Sequence, residues 1–413
     1  MRKQRVVITG MGAVSPYGEG IGMLMSGMHD NACALRLLPE YQLQGLSCRV
    51  AGLVPPLDER RIPRELRRTM SPMSIFACLA AWEALAQAGF DRSLGLPSTG
   101  VAIGSTLGSP QMLHEFFALF LRELSVENMR STVFFKVMGH SAAANVALAC
   151  GCNGRTLAPA AACASGLMSI CLGYEAIAAG REALMLCGGA DEFHLLTSAT
   201  FDRLGAASHE AIPEAASRPF DISRSGIVCG EGAGVLLLEN LENALAREAR
   251  ILAEIRGCSM VSSPASIAHP DAQSIADCMR RALHDASLSP QAVAYVNAHA
   301  TATEYGDIAE GQAIQAVFGS TVPVSSMKGH MGHTMAACGA LESIICVEML
   351  RESVYFPTLN LENPDARCGD LAHISSTQTS HGKTPVLKNS FALGGCNCTV
   401  IFDAFNKNRH YER

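Results

Sequence analysis

Cys163 stands in Ala161-Ala162-Cys163-Ala164-Ser165-Gly166, with an extended stretch before it and the amphipathic run Leu167 to Ala178 after it. This pattern puts a thiol at the mouth of a helix, where backbone N–H groups and the positive end of the helix dipole favour thiolate and predict a nucleophile at neutral pH. Small neighbours leave space for a substrate carbonyl. The chain has 16 cysteines, and most cysteines are simply small buried hydrophobes, so this thiol acquires meaning only with partners. Two histidine segments offer them. Val296-Asn297-Ala298-His299-Ala300-Thr301-Ala302-Thr303, followed by Gly306-Asp307, sends His299 from a strand end into a hydroxyl-rich loop. From there its ring can donate to a substrate oxygen, although a loop histidine satisfied by backbone is the plainer reading. Ser325-Ser326-Met327-Lys328-Gly329-His330-Met331-Gly332-His333 sets a cation and a histidine just before a helix that carries Glu342. The helix dipole there disfavours imidazolium, and a neutral ring donates at one nitrogen and accepts at the other.

Other segments carry weaker signals. His330 and His333 are three apart and Cys338 follows, a spacing that admits zinc. Structural zinc sites use paired ligand clusters, however, and no second cluster lies near, so no metal is expected. Cys150/Cys152 and Cys396/Cys398 have the spacing that puts both side chains on one face of a strand, which suits core packing. Asn389-Ser390-Phe391-Ala392-Leu393-Gly394-Gly395-Cys396-Asn397 precedes the strand Thr399 to Phe402. Its paired glycines allow backbone amides to approach a developing oxyanion, or simply make a tight turn. Thr9-Gly10-Met11-Gly12-Ala13-Val14 imitates the start of a dinucleotide fingerprint, but the third glycine is missing and Pro16 interrupts the helix it would open.

These residues need a scaffold, and the chain has material for one. It is 413 residues long, 48% hydrophobic and 17% charged, which suits two domains or one duplicated unit. A net charge of −6 argues against a general nucleic-acid binder. Cysteines scattered through apolar segments of a large chain indicate a reduced, cytoplasmic protein. The basic start Met1-Arg2-Lys3-Gln4-Arg5 resembles a signal n-region. Val6-Val7-Ile8-Thr9-Gly10 is nevertheless too short for its apolar core and reads as a first strand ending in a glycine turn. No run approaches a membrane span.

Short β-branched runs alternate with longer helical patterns: strands at 5–8, 100–103, 183–187 and 234–239, with helices at 73–88 and 167–179. The pattern restarts with strands at 253–257, 294–297 and 322–325 and helices at 271–286, 308–317 and 336–350. We therefore expect an α/β protein of two similar halves, 1–248 with Cys163 and 249–413 with His299 and His333. No linker separates them, so the site should lie at their junction.

Taken together, Arg5-Val6-Val7-Ile8-Thr9-Gly10, Arg218-Pro219-Phe220-Asp221, Gly230-Glu231-Gly232-Ala233-Gly234 and the three site segments resemble the β-ketoacyl-[acyl carrier protein] synthases of the synthase II type. That family includes the ketosynthase subunits of type II polyketide systems. The resemblance covers essentially the whole chain. It implies a thiolase-like fold of two βαβαβαββ halves in five layers, αβαβα, and an acyltransferase that performs decarboxylative Claisen condensation.

In this reading Cys163 accepts an acyl group, and His299 and His333 bind the malonyl thioester carbonyl. Lys328 organises charge around His333 with Glu342 as its acidic counterpart, and Asp307 has a supporting, equally well structural, role. The backbone N–H groups of Cys163 and Leu393 form the oxyanion hole. Thr301, Thr303, Phe201 and Phe391 line the path of the phosphopantetheine arm of an acyl carrier protein, and no cofactor is bound by the chain itself. Arg60-Arg61-Ile62-Pro63-Arg64-Glu65-Leu66-Arg67-Arg68 supplies a basic surface for that acidic partner, with Arg64, Arg67 and Arg68 chosen within it, although a solvated helix face reads equally well.

Three positions depart from the family's common pattern. Ala392-Leu393-Gly394-Gly395 replaces an aromatic gate, His299-Ala300-Thr301 replaces His-Gly-Thr, and Met331-Gly332-His333 replaces Thr-Gly-His. They favour a specialised polyketide or polyene pathway over housekeeping fatty-acid elongation. A noncatalytic chain-length-factor-like subunit is the further alternative, against which Cys163, His299 and His333 stand together. A homodimer, or a heterodimer with a chain-length-factor-like homologue, is expected near Phe134 and Phe135.

Overall fold

The computed structural model describes residues 3–40, 45–96 and 98–407. Met1 and Arg2 of the basic start, and the last residues of the second half, lie outside them. β1 (Val6–Ser15) is buried throughout. It does not end at the expected glycine turn but runs through Gly10 and Gly12. The helix packed on it, α1 (Pro72–Gln87), explains this. A Cβ at Gly10 would lie 2.0 Å from the Ala84 carbonyl oxygen, and one at Gly12 2.0 Å from that of Ala80. The two glycines are gaps that admit a helix.

The first half continues with β2 (Thr99–Gly104), α2 (Pro110–Glu123), α3 (Ser131–Val137), α4 (Ser141–Cys150) and β3 (Thr156–Leu157). It closes with α5 (Ser165–Ala178), β4 (Leu184–Asp191), α6 (Leu195–Arg203) and β5 (Gly232–Asn240). Its strands lie in the order β3-β2-β4-β5-β1, the first three parallel and each later one antiparallel to its neighbour.

The second half comprises β6 (Ala253–Ser262), α7 (Ala272–Asp285), β7 (Tyr295–Asn297), α8 (Glu304–Phe318) and β8 (Pro323–Ser325). After them come α9 (Lys328–Met331), α10 (Cys338–Glu352), β9 (Ala372–His373), β10 (Val386–Ala392) and β11 (Cys396–Asp403). The order β8-β7-β10-β11-β6 repeats the first half, directions included, with β9 added outside β8. The first strands of the halves pair antiparallel, Val6 to Ile8 against Ala253 to Ile255, and join the two sets into one sheet.

α5 and α10 pack on each other and on strands of both halves. α1 and α4 cover the outer face of the first half, and α7 and α8 that of the second. The result is the five-layer αβαβα arrangement. Both central helices are apolar on nearly all sides because sheet lies on both faces of them, and Leu167, Ile170, Leu341, Ile344 and Ile345 are fully buried there.

Two elements differ from the sequence reading. α2 and α3 leave the body as an excursion whose Phe117, Phe120, Leu121, Leu124, Phe134 and Phe135 are exposed. Cys150 and Cys152 do not share a strand face: Cys150 ends α4, and Gly151, at φ +64, turns the chain before Cys152. All 16 cysteines are free. Among the described residues no single helix is long and apolar enough to cross a membrane; α3 and α4 pass that test only as a pair bent by 103°.

Candidate active site

Each half enters its central helix through the same backbone device. Ala162, at φ 45, opens a 3₁₀ turn over Ala162–Ala164 before α5, and Met335, at φ 53, opens one over Met335–Ala337 before α10. The two turns meet. A Cβ at Gly166 or at Gly189 would lie 2.3 Å from the Ala336 carbonyl oxygen, and one at Gly339 would lie 2.5 Å from the Leu167 nitrogen. Only glycine lets the helix mouths approach this closely, and the approach carries Cys163 of one half toward His333 of the other.

The Cys163 turn is pinned by hydroxyls. Ser165 Oγ accepts the Ala161 N–H at 2.8 Å and donates to the Ala162 carbonyl at 2.7 Å. Ser390 Oγ donates to the Cys163 carbonyl at 3.3 Å. Asp191, at the end of β4, accepts the Ala336 N–H at 2.8 Å together with the Thr106 N–H and hydroxyl, so it braces the opposing turn.

Cys163, His299 and His333 converge, all buried: the thiol and one nitrogen of each ring lie within 4.8 Å of one another. The two rings meet edge to face at 5.2 Å between centroids, and the Phe391 ring stands 6.2 Å from that of His299. Among the described residues this is the one trio of His, Cys or acidic side chains close enough to share an ion. The spacing His330, His333, Cys338 does not assemble such a set; His330 is buried with neither ring nitrogen hydrogen-bonded.

Backbone clamps hold both histidines. Glu310 on α8 accepts the His299 N–H at 2.8 Å and the Ala300 N–H at 2.6 Å. The sequence reading passed over Glu310, although an acid one helical turn after Asp307 was a signal for it. The His333 N–H donates to the Val228 carbonyl, and its own carbonyl accepts the Gly230 N–H, each at 2.8 Å. That is the local task of the Gly230-Glu231-Gly232 motif. Behind the rings, Lys328 Nζ lies 2.8 Å from Glu342 Oε1. Lys388 Nζ lies 2.6 Å from Glu342 Oε2, an ionic contact without hydrogen-bond alignment. All three side chains are buried. Lys388 was also missed, because Val386-Leu387-Lys388-Asn389-Ser390-Phe391 holds no apolar run that marks a buried strand.

The protonation states correct one expectation. Burial pushes the Cys163 thiol far above its ordinary range, Cys338 reinforces this, and Lys328 opposes it. The thiolate predicted from the helix mouth gives way at rest to a neutral thiol, because desolvation outweighs the dipole. Burial, Lys328, the neighbouring His333 and Lys388 hold His299 well below the histidine range; burial, Lys328 and Lys388 do the same for His333. The expected neutral ring at His333 therefore owes more to burial and two lysines than to a helix end. Burial pulls Lys328 down, but Glu342, Cys338 and Glu310 together more than offset it and the net direction is up.

The remaining sequence-selected residues lie around this centre. Asp307 accepts the Phe220 N–H at 2.8 Å and faces Arg224 at 3.7 Å, so it ties the Arg218–Asp221 motif to α8. The Thr301 and Thr303 hydroxyls are 3.0 Å apart, and Arg224 donates to the Thr303 carbonyl. Phe201 packs with Cys229 and Met335, next to the His333 loop. Leu393 sits in the turn between β10 and β11 and is 42% exposed. Arg64 and Arg68 are exposed, whereas Arg67 is half-buried and spends Nε on the Ile62 carbonyl at 2.9 Å.

Comparison with known proteins agrees with this geometry. The β-ketoacyl synthase N-terminal domain matches residues 3–244, and its C-terminal domain matches residues 252–362. The chain is 30% identical to 3-oxoacyl-[acyl-carrier-protein] synthase 1 of Haemophilus influenzae, covering 98% of this chain and 100% of that protein. A β-ketoacyl synthase structure from Burkholderia phymatum superposes with a TM-score of 0.94 at 40% identity, covering 98% of this chain and 100% of the other. The ishigamide ketosynthase/chain length factor structure does so with 0.91 at 29% identity and the same coverage. The chain belongs to the β-ketoacyl synthase family of acyltransferases.

Proposed function

We propose that the buried site performs decarboxylative condensation with the following division of labour; the observation that carries it is the convergence of a thiol and two neutral imidazoles at one point. Cys163 attacks the thioester of an acyl group borne on the phosphopantetheine of an acyl carrier protein, and its proton leaves through an imidazole to the departing pantetheine sulfur. The acyl group is then a thioester on Cys163. Malonyl-carrier protein enters next, and His299 and His333 donate to its thioester carbonyl. As the carboxylate leaves as carbon dioxide, the bonding pair becomes an enolate whose oxygen those two N–H groups hold.

The enolate carbon attacks the acyl-Cys163 carbonyl, and the backbone N–H groups of Cys163 and Leu393 receive the resulting oxyanion. Collapse expels the sulfur as thiolate, which takes up one proton from water to balance the charge of the lost carboxylate, and releases β-ketoacyl-carrier protein. Neutral imidazoles suit this order of events, since each can donate without first losing a charge. No separate cofactor takes part. Lys328 and Glu342 organise the charge behind the rings, while Asp307 acts structurally through Phe220.

Thr301, Thr303, Phe201 and Phe391 line the way for the pantetheine arm, and Arg64 and Arg68 contact the acidic carrier, with Arg67 braced beneath them. The exposed aromatic face of α2 and α3, which includes Phe134 and Phe135, takes a second copy or a chain-length-factor-like homologue. The nonaromatic Leu393 gate supports a specialised polyketide or polyene pathway, carried out in the cytoplasm. Residues 1–248 and 249–413 are the duplicated units.

The test is intact-mass analysis after addition of acyl-carrier protein and then malonyl-carrier protein. One acyl adduct is expected, absent in Cys163→Ala. His299→Ala and His333→Ala should still load while condensing roughly 100-fold more slowly. An adduct that survives Cys163→Ala, or histidine variants that lose loading and condensation equally, would overturn these roles.

A further inference from the structure

Lys388 stands in the middle of β10 with 0% exposure, on a strand where a lysine costs heavily in desolvation. It is not a stray charge. Its Nζ lies 2.6 Å from Glu342 Oε2 and also donates to the Asn389 carbonyl. Glu342 is thus held between two ammonium groups, Lys328 on one oxygen and Lys388 on the other. The residues that follow on the strand reach the same centre: Asn389 touches Glu310, Ser390 holds the Cys163 carbonyl, and Phe391 faces the His299 ring. β10 therefore delivers Lys388 into the wall of the site, where its charge reaches both imidazoles.

We propose that Lys388 is a positioning residue for the condensation: by taking the second oxygen of Glu342, it keeps a surplus of positive charge behind His299 and His333. This rests on the condensation proposed above, because the surplus matters where negative charge develops on a carbonyl held by those rings. One carboxylate between two ammonium groups leaves one net positive charge. With Lys328 and Glu342 alone the group would be neutral. The surplus disfavours a third positive charge on either ring and favours the enolate that forms in front of them.

The other ionisable groups around the rings fit this arrangement. Cys163 is neutral, and Cys338 on α10 is pushed up to about 11 by burial. Glu310 on α8 is a further buried carboxylate whose charge reaches both lysines; its oxygens accept backbone N–H groups, and it stays the same when Lys388 or Glu342 is changed, so Lys388 still adds one positive charge to the group. Asp191 on β4 is committed to Thr106 and Ala336. His330 carries no charge at neutral pH, since burial lowers it to about 3. Among the described residues no carboxylate other than Glu342 makes an ion pair with either lysine.

The experiment is the pH dependence of malonyl-carrier protein decarboxylation and condensation in the intact protein, in Lys388→Met and in Lys388→Met/Glu342→Gln. In the unaltered protein the acid limb should lie below the ordinary histidine value of about 6.5. Lys388→Met should move it upward by roughly one pH unit, because a repelling charge has gone. The double variant restores the single net charge, so its limb should return toward the original. That return is not expected if Lys388 merely fills space.

A limb at the same pH in all three proteins overturns the proposal. So does a limb at or above the ordinary histidine value in the unaltered protein, a result that stands even if the variants fail to fold. Complete inertness of the unaltered protein toward malonyl-carrier protein would instead refute the condensation reading itself.

Discussion

The turn before α5 and the turn before α10 share a backbone path, yet they present different groups to the junction. Each starts with a residue in the left-handed region and runs through three residues of 3₁₀ turn into a central helix. In the first turn the middle residue is Cys163, and its side chain faces the site. In the second it is Ala336, whose carbonyl wedges against Gly166 and Gly189 while His333, three residues earlier, supplies the ring. A duplicated fold thus yields two helix mouths. One carries the proposed nucleophile, and the other spaces it and adds an imidazole. The thiol and the two imidazoles come from different halves, so their spacing depends on how closely the two turns abut, and with it the proposed chemistry.

The most disruptive way to break the arrangement is to separate the turns. Gly166→Ala and Gly189→Ala each add a methyl that would sit 2.3 Å from the Ala336 carbonyl oxygen, a backbone atom that cannot swing away. We expect a loss of roughly 3 kcal/mol of stability or more in urea unfolding, with acyl loading of Cys163 reduced in whatever folds. Gly22→Ala, where nothing lies within 4 Å of the added carbon, is the control and should stay within about 1 kcal/mol of the original. Equal stability of the Gly166 and Gly189 variants with the control would show that the turns do not need this contact.

The sequence made the halves visible because each strand and central helix is an apolar run of the right period, and the site because Cys163, His299 and His333 lie in small-residue loops between such runs. What it hid has physical causes. β1 was cut short at Gly10, since a glycine reads as a turn unless the helix that needs the gap is known. α2 and α3 escaped notice because their aromatic residues face outward and do not mark a core stripe. Lys388 and Glu310 sit inside elements, where a charged residue has no local pattern to explain it; only the tertiary partner does. The thiolate expectation failed for the same reason: a helix mouth is legible in sequence, whereas complete desolvation of the sulfur is not.

Asp191 and Asp307 allow a finer comparison between the halves. Each is fully buried, each braces a loop, and burial raises each to about 7, with hydrogen bonds from Thr106 and Ala336 opposing it for Asp191 and the Phe220 amide and Arg224 opposing it for Asp307. A carboxyl raised this far keeps its proton in the folded state while the unfolded chain, with its ordinary value of 3.8, loses it. Stability is therefore favoured at the acidic end and falls as pH rises from about 4 to about 7. Asp191→Asn and Asp307→Asn remove that titration. From pH 4 to pH 7 the unfolding free energy should shift in favour of each variant over the original by on the order of 2 kcal/mol. Parallel stability curves for variant and original would mean that the carboxylate is already charged when folded.

The smallest effect on the chemistry should come from the arginines proposed for docking, which lie in the half that carries Cys163, whereas Thr301 and Thr303 lie in the half that carries His299. In the proposed arrangement a carrier protein docks on the first and threads its arm past the second. Arg64 and Arg68 are exposed, so their charge acts through solvent and is screened by salt. Arg64→Glu/Arg68→Glu should raise KM for acyl-carrier protein by roughly ten-fold at low salt and far less at high salt, with kcat little changed. A small acyl thioester without the carrier should react as before. Arg67→Ala should behave differently. Its Nε holds the Ile62 carbonyl, so the loss should appear as about 1 kcal/mol of stability rather than as a salt-dependent KM. If all three arginines instead give the same salt-dependent shift, Arg67 belongs to the docking surface and the brace at Ile62 is incidental; if none does, the carrier approaches from another face.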